Sequence, residues 1–152
     1  MTRQIAASEG DRTIRVLIAE DDREVRELLR SALERDGHAV DCVRDGIELI
    51  ERLSVPVILD DGFVPPDLVI TDHRMPHLSG LEALSIMRRG QWTIPVIVIT
   101  AFGDQRTHDD ARRLGAVAVL DKPFDLADLR DTIRALFAAP STTEEAHVDR
   151  PS

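Results

Sequence analysis

VLIAEDDREVRELL, residues 16–29, sets two different patterns back to back. Its first residues belong to an apolar run, Ile14 to Ala19, without polar alternation, as in a strand covered on both faces within a parallel sheet. Further on the period changes, and Val25, Leu28, Leu29, Ala32 and Leu33 fall on one helical stripe. Between strand and helix stand three acids in a row, Glu20, Asp21 and Asp22.

The same alternation recurs along the chain. Ala39 to Val43, Leu68 to Thr71, Val96 to Thr100 and Ala116 to Leu120 are further runs of strand length. Helical spacing fills Asp45 to Leu53 and Asp104 to Leu114, the latter stopped by Gly115 in the C-terminal capping position. Another helix opens at Ser79, where Ser79 and Glu82 have capping-box spacing and Leu81, Leu84 and Met87 face inward. Leu126, Leu129, Ile133 and Leu136 mark the last helix. Five strands alternating with five helices imply right-handed crossovers and a doubly wound α/β sandwich, with ligand sites beyond the carboxyl ends of the strands.

A chain of 152 residues with 43% hydrophobic content suits one core. Residues 1–13 and 139–152 are polar and aperiodic, and are read as disordered tails around a folded segment, 14–138. A net charge of -9 tells against nucleic acid or an anionic membrane as the main partner. No stretch approaches the ~18 apolar residues that span a bilayer. Cys42, the one cysteine, cannot form an internal disulfide, and a reducing, cytoplasmic setting fits it.

In such a fold the residues just after the strands converge on one crevice. Here they are Glu20, Asp21 and Asp22 after the first strand, Asp72 after the third, Thr100 at the end of the fourth and Lys122 after the fifth. Carboxylates crowded together stay ionised only beside a compensating cation, and oxygen donors of this kind select Mg2+ or Mn2+. A carboxylate on the central strand can then act as nucleophile towards a phosphoryl group. Lys122 offers a mobile point charge for the phosphoryl oxygens, and the Thr100 hydroxyl offers a hydrogen bond. Lys122 is also the only lysine in the chain.

Each signal has a plainer explanation. The acidic run can be a helix N-terminus, Asp72 a turn residue before Pro76, and Thr100 an ordinary strand end. Four strand ends that each supply the needed residue type weigh against that account. His73 and His77 flank Pro76 and suggest a transition-metal pair, but the proline opposes a helix that presents both on one face. His38, His108 and His147 show no partner in the sequence, Trp92 reads as a cap over the sheet edge or a partner contact, and Arg112 and Arg113 read as a solvated face.

With these residues placed, the chain resembles a receiver domain of the two-component response-regulator family over roughly residues 14–138. The stretches that carry the resemblance are VLIAEDDREVRELL (16–29), PDLVITDHRMPHLSGLEAL (66–84), PVIVITA (95–101) and LDKPF (120–124). The resemblance implies a flavodoxin-like fold with strand order 2-1-3-4-5 and makes Asp72 the phosphoacceptor. It further implies that Asp21 and Asp72 bind Mg2+ directly, that Glu20 does so through water, and that the backbone carbonyl of Arg74 is another ligand. Thr100 and Lys122 would contact phosphoryl oxygens, and the Lys122–Pro123 bond would be cis. A sensor histidine kinase or phosphotransfer protein would be the donor. The acyl phosphate would bias the surface of the fourth helix, fifth strand and fifth helix towards a downstream protein target. The expectation is a stand-alone receiver similar to the chemotaxis regulator, a monomer or weak homodimer. It acts as a phosphoacceptor with its own phosphotransfer and autodephosphorylation, not as a multiple-turnover enzyme.

Three departures stand out. Val119 occupies the position where the family usually has Tyr or Phe, and Glu20 stands where Asp is more frequent. The connection Ser54 to Pro65 is long and apolar, and is read as an enlarged loop or as a docking surface. Arg74 and Phe102 are expected to border the site and shield the acyl phosphate from water. Two rival readings are an aspartate-nucleophile phosphatase of the haloacid-dehalogenase type and a receiver-like interaction module that takes no phosphate. The first expects a second acid two residues past Asp72, where this chain has Arg74.

Overall fold

The computed structural model describes residues 12–58, 64–101 and 104–138. They form ten elements in strict alternation: β1 (Arg15–Ala19), α1 (Arg23–Arg35), β2 (Ala39–Val43), α2 (Gly46–Ile58), β3 (Leu68–Asp72), α3 (Gly80–Arg89), β4 (Val96–Ala101), α4 (Gln105–Arg113), β5 (Ala118–Lys122) and α5 (Leu126–Phe137). The strands make one parallel sheet in the order β2-β1-β3-β4-β5, the order that the family resemblance implies. The chain runs outward from β1 to β2, then returns to lay β3 on the other side of β1. That reversal opens a crevice at the carboxyl ends of β1 and β3.

Sheet position sets burial. β3 is buried at all five positions, while edge strand β2 alternates exposed and half-buried residues before a buried Val43, and edge strand β5 is half-buried throughout. The near-continuous apolar runs therefore mean two-sided cover only for the inner strands. Leu17, Val69, Val96 and Val98 pack with Leu49, Leu84, Met87 and Ala111 in the main cluster, and Trp92 and Val119 lie half-buried against it. On α1 the predicted stripe holds for Leu29, Ala32 and Leu33, but Leu28, at its margin, is 52% exposed.

Several boundaries differ from the expected ones. β5 begins two residues late because the Ala116 N–H is committed to the end of α4, where it donates to the Ala111 carbonyl. Its ladder with β4 runs on to the pair Ala101 and Lys122, so Lys122 is the last strand residue and does not follow the strand. Asp72 likewise closes β3 from within. α2 runs on to Ile58, past Pro56, so the first part of the expected connection is helical, and residues 59–63 lie outside the described residues. The two terminal segments read as tails, 1–13 and 139–152, also lie outside them, apart from Arg12 and Thr13.

Helix ends follow local chemistry. Ser79 and Glu82 form the reciprocal capping box, and Asp104 and Asp125 cap α4 and α5. Gly115, at φ +92°, turns the chain out of α4 in the left-handed conformation, with the Ala116 N–H bonded back to Ala111. By backbone contact the described residues fall into two compact units, 13–124 and Arg12 with 125–138. The second contains α5, with Leu129 and Ile133 buried and the Arg12 guanidinium 5.3 Å from the centre of the Phe137 ring.

Candidate functional site

Glu20 leaves the end of β1 and is held from several sides. Its N–H donates to the Val43 carbonyl at 3.1 Å, its carbonyl accepts from Arg26 Nη1 at 2.8 Å, and its Oε2 accepts from the Asp22 N–H at 3.0 Å. The side chain is only 1% exposed. Asp21 is exposed beside it. Asp22 turns the other way: its Oδ1 accepts from the Glu24 and Val25 N–H groups at 2.9 and 3.2 Å. The plainer reading of the acidic run is thus correct for Asp22, a helix cap, which leaves two of the three acids for the crevice.

Asp72 meets them from β3, itself 5% exposed. The backbone beyond it is fixed by His73, whose N–H donates to Ile99 and whose carbonyl accepts from Gly80, both at 2.8 Å. One carboxylate oxygen each of Glu20, Asp21 and Asp72 lie within 4.8 Å of one another, and among the described residues this is the one such group of three potential ligands. His73 and His77 form no such group. Lys122 enters from β5, its Nζ 3.3 Å from Asp72 Oδ2 and 3.4 Å from Glu20 Oε1. Thr100 stands one residue past Ile99, the register partner of Asp72. Its Oγ1 is buried and, among the described residues, has no hydrogen-bond partner; nor has Glu20 Oε1, whose contact with Lys122 is an ion pair. Arg74 is exposed two residues beyond Asp72, and Phe102 lies outside the described residues. The Lys122–Pro123 bond is cis.

The electrostatics are unbalanced. Burial pushes the Glu20 carboxyl up to about 7; the Asp22 N–H and Lys122 pull against this, and the Asp72 charge adds to it. Burial raises Asp72 as well, against the pull of Lys122. For Lys122 burial alone would favour the neutral amine, but the charges of Asp72 and Glu20 outweigh it and hold the ammonium above its ordinary range. One ammonium does not fully compensate the acids. An all-oxygen set with unspent acceptor capacity at Glu20 Oε1 fits a small hard divalent cation such as Mg2+.

A family model for the response regulator receiver domain matches residues 16–134. The chain belongs to the response regulator receiver domain family. This receiver is 34% identical over 131 residues to Response regulator MprA of Mycobacterium sp. (strain KMS), covering 86% of this chain and 54% of that protein. It is 33% identical over 131 residues to Regulatory protein AtoC of Escherichia coli (strain K12), covering 86% of this chain and 27% of that protein. The receiver therefore spans about half or less of these curated relatives. Among solved structures it is similar to the signal receiver domain of a signal transduction histidine kinase from Syntrophus aciditrophicus, at a TM-score of 0.71 and 27% identity, with 92% of this chain and 96% of that one covered.

Some of the site could not be read from the sequence. Nothing in the spacing of Arg26 from Glu20 announces the contact between its guanidinium and the Glu20 carbonyl. His38 and His108, without a legible partner in the sequence, both have one: His38 Nδ1 accepts from the Ile14 N–H at 3.1 Å, and His108 Nε2 lies 2.7 Å from Asp121 Oδ1. Both contacts join residues far apart in the chain. His147 lies outside the described residues.

Proposed function

We propose that this receiver, taken as residues 14–138, is the phosphorylation-dependent switch of a two-component system or phosphorelay, with Asp72 as acceptor. The observation that carries the reading is the meeting of three acids from two strand ends, all within 4.8 Å, with the Lys122 ammonium 3.3 Å from Asp72. In the transfer, a carboxylate oxygen of Asp72 attacks phosphorus of a phosphohistidine. The P–N bond breaks, and the imidazole nitrogen leaves with the bonding pair. Lys122 donates to the phosphoryl oxygens, and the Thr100 hydroxyl, buried without a partner, gains one there. Glu20, Asp21, Asp72 and the Arg74 carbonyl would hold Mg2+, which when bound would supply charge neutralisation for the phosphoryl oxygens. The receiver ends as an acyl phosphate, with hydrolysis resetting it, and is not a multiple-turnover catalyst.

Its donor is a sensor histidine kinase or phosphotransfer protein in the cytoplasm. Its output is a protein contact on the face that includes α4 and β5. Among the described residues no helix is long and apolar enough to cross a membrane. The test uses a small acyl-phosphate donor with Mg2+ and intact-mass readout. One stable adduct on the wild type, absent from Asp72→Asn, supports the reading. Steady turnover of the donor without an adduct points to a phosphatase, and an inert protein points to an interaction module.

A further inference from the structure

β5 is an edge strand, bonded to a neighbour only through β4, and none of its five residues is fully buried. Its last residue nevertheless carries the ammonium that sits within 3.4 Å of two buried carboxylates. Strand ends at a sheet edge are where ladders open first. Besides its own ion pairs to Glu20 and Asp72, the strand end that carries Lys122 has a second tie. The preceding residue supplies it, because successive side chains on a strand point to opposite faces. While Lys122 reaches the acids, Asp121 reaches α4, where its Oδ1 lies 2.7 Å from His108 Nε2. A carboxylate only accepts, so Nε2 carries the proton. The contact is well founded on the helix side: the His108 side chain is 15% exposed, and its helix buries Thr107 and Ala111 against the core side.

We propose that His108 is a positioning residue for Lys122. Through Asp121 it fixes the carboxyl end of β5 and so holds the ammonium over Asp72. The kinetic consequence rests on the phosphorylation reading; the structural one does not.

Lys122 is the only lysine in the chain, so a sample with isotope-labelled lysine gives one side-chain ammonium resonance to follow. In the wild type that signal is ordered and protected from solvent exchange. His108→Ala broadens it or loses it, and His108→Gln, whose amide N–H still reaches Asp121, restores it. Acyl phosphate formation slows roughly tenfold in His108→Ala and recovers in His108→Gln. In a Lys122→Met background, His108→Ala causes no further slowing. An unchanged ammonium signal in His108→Ala overturns the proposal. So does an equal loss of rate with and without Lys122, which marks a purely structural role. Should the signal respond as described while the wild type forms no adduct, the positioning stands and the phosphorylation reading falls.

Discussion

A β-carbon on Gly80 would lie 2.3 Å from the backbone carbonyl oxygen of Asp72. The start of α3 is therefore seated directly on the residue proposed to take the phosphoryl group, and the Gly80 N–H bonds the next carbonyl, that of His73, at 2.8 Å. A backbone oxygen cannot swing aside as a flexible side chain can. Gly80→Ala should cost about 2 kcal/mol, in the range of overpacking. It should also slow acyl phosphate formation by displacing Asp72. Urea unfolding and the intact-mass assay measure the two effects, and a variant as stable and as fast as wild type would contradict the packing account.

Glu20 gives a pH dependence whose sign can be worked out. Its carboxyl ionises at about 7 in the folded protein against an ordinary 4.5, so between those values the folded state holds more protons than the unfolded one. Stability in chelator should therefore fall as pH rises through that window. The proposed Mg2+ would bind the ionised carboxylates, so the gain in Tm on adding it should be small below the window and grow across it. Thermal unfolding in chelator and in Mg2+, at a pH on either side, tests this. An equal Mg2+ effect at both sinks it.

Gln91, just past the Gly90 that caps α3, stands at φ +65°, the same left-handed position that Gly115 fills after α4. The Trp92 N–H then bonds back to the Met87 carbonyl at 3.0 Å. A side chain in this conformation is strained, so Gln91→Gly should stabilise the protein by about 0.5–1 kcal/mol after allowing for the extra freedom of the unfolded chain. A lower denaturation midpoint in the variant would show that the glutamine side chain contributes more than its strain costs.

Arg88 ties three elements together. Its guanidinium donates to the carbonyls of Trp92 at 2.8 Å, Leu114 at 3.2 Å, Gly115 at 3.3 Å and Ile94 at 3.4 Å, which join the ends of α3 and α4 to the entry of β4. Arg88→Met should cost about 2–3 kcal/mol, because carbonyls lose a charged donor in a half-buried setting. Arg88→Lys should recover little of it, since one ammonium cannot span the fork. Chemical denaturation of both variants gives the comparison.

The sequence was most legible where the physics is local. The capping box at Ser79, the helix stop at Gly115 and the inner strands β1, β3 and β4 are all spelled in neighbouring residues. Glu20, Asp21, Asp72 and Lys122 were legible because a parallel sheet collects strand ends by rule. The sequence alone does not separate Asp22 from its two acidic neighbours, because a capping acid and a site acid look alike until the carboxylate's direction is known. The late start of β5 was hidden because Ala116 is apolar enough for a strand, although its N–H is used by α4. His108 and Asp121 are each unremarkable in sequence, and only the packing of α4 against β5 makes them a pair.

Asp72 as the proposed acceptor can be tested directly, because an acyl phosphate can be trapped where it forms. After incubation with a phosphodonor and Mg2+, borohydride reduces the phosphorylated aspartate to homoserine, and peptide mass mapping locates it. Homoserine is expected at position 72 and at no other acid, and is lost when Mg2+ is chelated. Homoserine at Glu20's neighbour Asp21 in place of Asp72, or none anywhere in a folded Mg2+-loaded sample, would contradict it.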